Sequence, residues 1–286
     1  MQQHGRWAAS DTLVSEVLQR IEGAPAADSL ELATALYLQA RAKMNTVGYA
    51  DGSALRAATR SLGIRQRRLG PDAVAVAEVH HLMANLLLGA DRTDSALVHI
   101  RRAIAIRESK LAPTDTLIAQ SWDALALIHR GRFDFPAALD AWNHAIAART
   151  RADGPESPGV ATLLGQTGLC WAEIGDHERA RQVLHQSLDM FARTRPGDPQ
   201  RWIPLNLLGD LERRAGNVAL DADLLREALR VVQPAYGENS RKALTLRSNL
   251  AIALLELGDF EGSRQLCLEN LPLIRAQYGP THPSAQ

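Results

Sequence analysis

Two cysteines, Cys170 and Cys267, are all that this 286-residue chain holds. That count excludes a disulfide framework and any metal site built on a cysteine cluster. Aromatic residues reach only 5%, and the dominant Ala, Leu and Arg favour helix over sheet. Neither sign of charge is in excess: 32 Lys and Arg balance 32 Asp and Glu, so nothing attracts nucleic-acid phosphates or anionic lipid in general. No apolar run approaches the ~18 residues of a membrane span, and Met1-Gln2-Gln3-His4-Gly5-Arg6 opens no signal-peptide core. These absences leave a soluble, cytoplasmic, mostly helical protein as the expectation, with 46% hydrophobic residues to bury.

What the chain does have is self-similarity. Ser53-Ala54-Leu55 through Leu69-Gly70-Pro71 lies over Ser95-Ala96-Leu97 through Leu111-Ala112-Pro113 without a gap. Three series of small residues then recur with steps of 42, 42, 42, 41 and 42. The first runs Ala42, Ala84, Ala126, Gly168, Gly209, Ala251; the second Ala54, Ala96, Ala138, Ala180, Asp221, Ser263; the third Ser61, Ala103, Ala145, Ser187, Ala228, Asn270. Sixteen of these eighteen positions hold Ala, Gly or Ser, where ordinary composition supplies roughly a quarter.

Small residues at fixed spacing mark the closest approach of two helices, because only they let backbones come within about 8 Å. Larger apolar residues flank them at helical spacing, as Leu250 and Leu254 do around Ala251. Gly175-Asp176, Gly216-Asn217 and Gly258-Asp259 supply a left-handed helix end followed by a cap for the next helix. The spacing therefore predicts six antiparallel helix pairs, at 28–68, 72–110, 114–152, 157–193, 199–236 and 240–277. An extension at 1–27, with a short helix near 11–22, precedes this 28–286 array, and 278–286 reads as the incomplete start of another unit. Asp221 and Asn270 predict looser packing in the last two pairs. Pro136 suits a first helical position, whereas Pro272 predicts a kink or break.

The small-residue pattern with its Gly-Asp turn resembles the tetratricopeptide repeat, and the 42-residue period resembles the kinesin-light-chain type. Arg247-Ser248-Asn249-Leu250-Ala251, Leu257-Gly258-Asp259-Phe260, Tyr278-Gly279-Pro280-Thr281-His282-Pro283, and Trp122 with Leu125 and Ala126 carry the resemblance, which covers about residues 30–286. It implies an all-α fold, a right-handed α-solenoid of antiparallel helix pairs, whose first helices line the concave side. The family's groove asparagine survives only as Asn249; Ala40, Leu82, Ala124, Gln166 and Leu207 stand elsewhere. Bacterial relatives of this type often adjoin an effector such as a CHAT peptidase, a serine/threonine kinase or a nucleotide-binding switch. The chain is accordingly expected to be the amino-terminal part of a longer protein, or to be capped by a partner, unless 270–286 folds back as a polar cap.

Catalytic signatures are absent: no Gly-x-Ser-x-Gly elbow, phosphate loop, dinucleotide fingerprint or His-Glu-x-x-His helix occurs. His177 and His185 would stand ~12 Å apart along a helix, too far to share a metal. His80 and His81 point about 100° apart on a helix and cannot chelate together; one is expected to pack and the other to face the groove. Both thiols read as small buried hydrophobes. Arg60, Arg65, Arg67 and Arg68 read as a solvated helix face, and Trp122, Trp142 and Trp171 as packing residues.

No enzyme activity, cofactor, metal, nucleic acid or membrane is expected. The reading is a protein–protein interaction scaffold that binds a peptide or partner protein and recruits or regulates a linked or associated effector; the alternative is a signalling-peptide receptor whose superhelix changes shape on binding. Candidate groove residues are Gln39, Lys43, Glu78, His81, Asn85, Gln120, Asp123, Arg130, Thr162, Gln166, Asn206, Asp210, Arg213 and Asn249. Their mixture of donors, acceptors and both charges suits a polar extended peptide.

Overall fold

The computed structural model describes residues 14–15, 29–46 and 52–278. Among them are twelve long α-helices and one 3₁₀ turn, and no strand. The helices pair in chain order: α1 (Leu30–Thr46) with α2 (Ser53–Leu69), α3 (Val74–Gly89) with α4 (Thr93–Lys110), and α5 (Thr116–Gly131) with α6 (Phe135–Asp153). Then come α7 (Pro158–Ile174) with α8 (His177–Thr194), α9 (Trp202–Arg214) with α10 (Val218–Tyr236), and α11 (Arg241–Glu256) with α12 (Phe260–Tyr278), the 3₁₀ turn Pro199–Arg201 leading into α9. The expected extension at 1–27 lies outside the described residues except for 14–15, and so does 279–286.

Two compact units result, Gln2–Pro155 and Glu156–Gln286. Within each, a second helix packs onto the first helix of the following pair: α2 on α3 and α4 on α5 in one unit, α8 on α9 and α10 on α11 in the other. First helices of successive pairs also touch, α1 to α3, α3 to α5 and α7 to α9. Each unit is a short α-solenoid.

All eighteen small-residue positions are buried. The looser packing expected at Asp221 and Asn270 is not found: both are only 3% exposed. Asp221 fits because its partner has lost a side chain, since a Cβ built on Gly209 would overlap the Asp221 Oδ1. Gly168 plays the same part for Leu184, whose Cδ2 would lie 2.6 Å from an added Cβ. Asn270 fits by bonding, its Nδ2 donating to the Leu244 carbonyl and to Ser248 Oγ, both at 2.9 Å. Ser61 and Ser187, at the same register, donate to the Ala33 and Ala161 carbonyls at 2.6 Å. A polar residue in this series thus ties the second helix to a backbone carbonyl of the first, which offsets the cost of burying the two serine hydroxyls; Asn270 Oδ1 is buried without a partner.

The five described turns between paired helices share one hydrogen-bond pattern. The amide of Arg92 donates to Leu87 O, Asp134 to His129 O, Asp176 to Trp171 O, Asn217 to Glu212 O and Asp259 to Leu254 O. This closure needs a left-handed residue just before the donor. Gly175, Gly216 and Gly258 supply it, but Asp91 (φ 58°) and Phe133 (φ 59°) hold the same position in α3–α4 and α5–α6. Asp134 and Asp176 then cap the second helices α6 and α8, accepting from the Ala137 and Arg179 amides, and in the linkers between pairs Ser157 and Ser240 cap α7 and α11, accepting from the Val160 and Ala243 amides; such caps are worth about 1 kcal/mol each.

Pro272 produces no break: α12 continues through it to Tyr278. The carbonyl deprived of a partner belongs to Leu268, an exposed residue, where solvent can replace the lost bond. Pro234 is tolerated similarly in the last turn of α10. No helix among the described residues is long and apolar enough to cross a membrane.

Two stability outcomes follow from this geometry. Gly209→Ala is expected to lower stability by about 1–3 kcal/mol, and Asp221→Ala in the same chain to restore most of the loss, read from urea unfolding. Phe133→Gly is expected to raise stability by about 1 kcal/mol, because a bulky L-residue is strained at positive φ.

Candidate functional site

In the carboxy-terminal unit, α9 and α11 present their polar stripes side by side. Asn249 Nδ2 donates to Asn206 Oδ1 at 2.8 Å. Two turns on, Arg213 donates to Asp210 at 3.0 Å and to Glu256 at 2.9 Å, and stands 3.8 Å from Asp221. Asp210 also receives Arg214 at 2.8 Å. Asn206, Asp210, Arg213, Asp221 and Asn249 line one cavity of about 150 Å³. Four of these five are residues that the sequence pattern nominated. Burial, reinforced by Asp210 and Glu256 and opposed by Arg213, pushes the Asp221 carboxyl up to about 6. The Asp210 hydrogen bond, with Glu256 behind it, holds the Arg213 guanidinium above its usual range.

The nominated residues of the amino-terminal unit sit in a different setting. Glu78 is tied by Arg65 at 2.9 Å. His81 Nδ1 lies 3.4 Å from Arg107 Nη1, and burial beside that cation lowers its pKa to about 4. Asp123 accepts from Trp142 Nε1 at 2.8 Å, so it satisfies a fully buried indole, and burial raises its pKa. Thr162, in the other unit, turns its hydroxyl back to the Pro158 carbonyl of its own helix at 2.9 Å. Gln39, Lys43, Asn85, Arg130 and Gln166 are half-buried on first helices and Gln120 is exposed.

Several residues sort differently from their sequence reading. Cys170 is buried but Cys267 is exposed, because no described helix follows α12 to cover it. Arg65 does not belong to a solvated face: it is 6% exposed, lies 5.0 Å from the Tyr37 ring centroid, and donates to the Ala75 carbonyl at 2.6 Å. Arg107 repeats the arrangement one unit on, donating to the Leu117 carbonyl at 3.0 Å and Ser121 Oγ at 2.6 Å. Sequence reasoning missed this pair of buried arginines, although their 42-residue separation was the available signal. His80 packs, as one of the two adjacent histidines was expected to, with its Nδ1 2.8 Å from His99 Nδ1. No group of three or more His, Cys, Asp or Glu among the described residues is placed to hold a metal ion.

Comparison with known proteins bears on this geometry. The tetratricopeptide-repeat family profile matches residues 117–193 and 243–284. Those two segments are tetratricopeptide repeats. Among solved structures, BtubC (BKLC) from P. vanneervenii superposes with a TM-score of 0.64 at 20% identity, over 80% of this chain and 92% of that one. A putative kinesin light chain of Podosopora anserina with nearly identical TPR-like repeats gives 0.54 at 15% identity, over 72% and 98%. A singly substituted form of that protein gives 0.54 at 16%, over 69% and 94%. At these identities the likeness establishes the fold. No curated protein matches the sequence.

Within the helix pairs, buried titratable groups make stability depend on pH with two signs. Burial, aided by His99 and Arg102, holds His80 down to about 4, as burial does His81, while an unfolded imidazole titrates near 6.5. Between pH ~6.5 and ~4 the unfolded chain therefore binds protons that the folded chain refuses, and stability falls as pH falls. Asp221 acts oppositely: from pH ~6 to ~4 the folded form keeps a proton that the unfolded form releases, so acidification adds stability. Urea midpoints at pH 7, 5.5 and 4.5 are expected to drop less in His80→Gln/His81→Gln, and more in Asp221→Asn, than in the parent.

Proposed function

We propose that the chain is a non-catalytic scaffold that holds an extended polar segment of a partner protein along its first helices, centred on Asn206, Asp210, Arg213 and Asn249. Tetratricopeptide repeats are in general protein–protein interaction modules. One observation carries the finer reading. Four side chains from two successive first helices converge on one cavity, with an amide pair able to serve peptide N–H and C=O groups beside a charged cluster. Opposing amides read main chain, while Asp210, Asp221 and Glu256, in excess over Arg213 and Arg214, favour a basic side chain in the bound segment.

The remaining candidates belong to the same reading: Thr162 and Gln166 in the same unit, and Gln39, Lys43, Glu78, His81, Asn85, Gln120, Asp123 and Arg130 in the amino-terminal one. The bound protein, or an effector joined to the scaffold such as a CHAT-type protease, is what the chain would recruit or regulate. The setting is the cytoplasm, with neither nucleic acid nor membrane as partner.

An array of 12-residue peptides probed with the full chain tests the reading. Asn206→Ala/Asn249→Ala is expected to weaken the selected peptides at least tenfold without changing helix content by circular dichroism. Binding that survives both substitutions would remove this cavity from the function.

A further inference from the structure

Resting on the docking reading above, we propose that the cavity between α9 and α11 is a pocket for a lysine side chain of the bound segment, and that Asp221 of α10 is the residue that selects lysine.

The same register position holds Ala54, Ala96, Ala138, Ala180 and Ser263 in the other five pairs. Gly209 makes room for Asp221, but room is not a reason for a charge. Ser263, the other polar residue of this series, answers for its burial by donating to the Ala251 carbonyl at 2.8 Å. Asp221 is 3% exposed, yet among the described residues its carboxylate accepts no hydrogen bond. Only Arg213 approaches it: Nε stands 3.8 Å from Oδ2, while Nη1 and Nη2 are committed to Glu256 and Asp210. A buried carboxylate short of donors is costly in the free chain. It borders the cavity, which is where a donor from the bound segment can reach it.

Charge and size agree on the occupant. Asp210, Asp221 and Glu256 bring three negative charges, and Arg213 and Arg214 two positive ones, so one added cation makes the cluster neutral. The cavity holds about 150 Å³, five water volumes at roughly 30 Å³ each. That is room for an ammonium group and the methylenes behind it, and Leu207 and Ile252 line the wall along which those methylenes would lie.

The seating of the carboxylate separates lysine from arginine. Oδ1 is turned onto Gly209, where an added Cβ would overlap it, and Oδ2 is the oxygen on the Arg213 side. A guanidinium fork needs both oxygens of a carboxylate, whereas an ammonium group is a point donor that one oxygen can satisfy.

The same carboxylate makes binding depend on pH. Burial, opposed by Arg213 and reinforced by Asp210 and Glu256, leaves Asp221 titrating at about 6 in the free chain; those three are the charged groups that face it, from α9 and α11. Lysine stays cationic throughout and needs the carboxylate ionised. Between pH 7.5 and 5 affinity should fall about tenfold, because binding must then displace a proton.

Twelve-residue peptides without histidine test the pocket. Four sets are made that differ only in a central lysine, arginine, norleucine or glutamate, and their affinities for the full chain are read by fluorescence anisotropy. Lysine peptides are expected to bind at least fivefold more tightly than their arginine and norleucine counterparts. Asp221→Asn should abolish both that preference and the pH dependence. Asp221→Ala should abolish the preference too, and four other pairs carry alanine at this position. Asp223→Asn, at an exposed carboxylate two residues on, should leave the preference intact.

Two results overturn the pocket and spare the docking site: peptides that depend on Asn206 and Asn249 but bind no better with lysine than with arginine or norleucine, and a lysine preference that survives both Asp221 variants. Binding that ignores Asn206 and Asn249, or no binding by any set, removes the docking site and the pocket with it.

Discussion

Everything in this molecule hangs on how closely two helix backbones approach at three points in every pair. A single methyl group decides the approach, and the chain meets the requirement at all eighteen positions, including the two where its side chain is not small. Asp221 is admitted because Gly209 opposite has no Cβ, and Leu184 because Gly168 has none. Interiors packed to crystal density do not stretch to accept a larger group, so the volume must be removed from the facing residue. The exchange keeps each pair's geometry constant while its composition drifts.

A second constraint acts between successive pairs, and the two units meet it with different chemistry. Arg65 and Arg107 reach forward from α2 and α4 to carbonyls and polar groups in the opening turns of α3 and α5. At the same register the carboxy-terminal unit has Phe191, Val232 and Ile274, exposed by no more than 4%. A buried guanidinium contributes little net stability once its desolvation is charged, but it fixes register through directional bonds. Apolar residues stabilise through area and leave register to shape. Polar links between pairs persist in the carboxy-terminal unit at other positions: Arg181 reaches Glu212 and the Leu211 carbonyl, and Asn206–Asn249 and Arg213–Glu256 join α9 to α11.

Functionally, such a chain works through surfaces. The titratable groups described above are perturbed mainly because they are buried or paired. Two surfaces are distinguished by their composition: a polar one across the first helices and an apolar one on α12.

Much of this was legible in the amino acids alone. The 42-residue recurrence of Ala, Gly and Ser, with glycine at the helix ends, prescribes antiparallel pairs, because these are local steric facts that repeat whatever surrounds them. Non-local matters were decided only in three dimensions. Asp221 reads as a defect until Gly209 is seen facing it, and Pro272 as a break until its orphaned carbonyl is seen at an exposed residue. Phe133 gives no hint of a left-handed turn, and Arg65 looks like part of a basic surface run until Glu78 and Tyr37 close over it. Cys267 occupies a core position by register and is nevertheless exposed. Periodicity along a chain fixes which side of a helix is turned inward; whether another helix arrives to cover that side depends on contacts between residues far apart in sequence, and those only folding supplies.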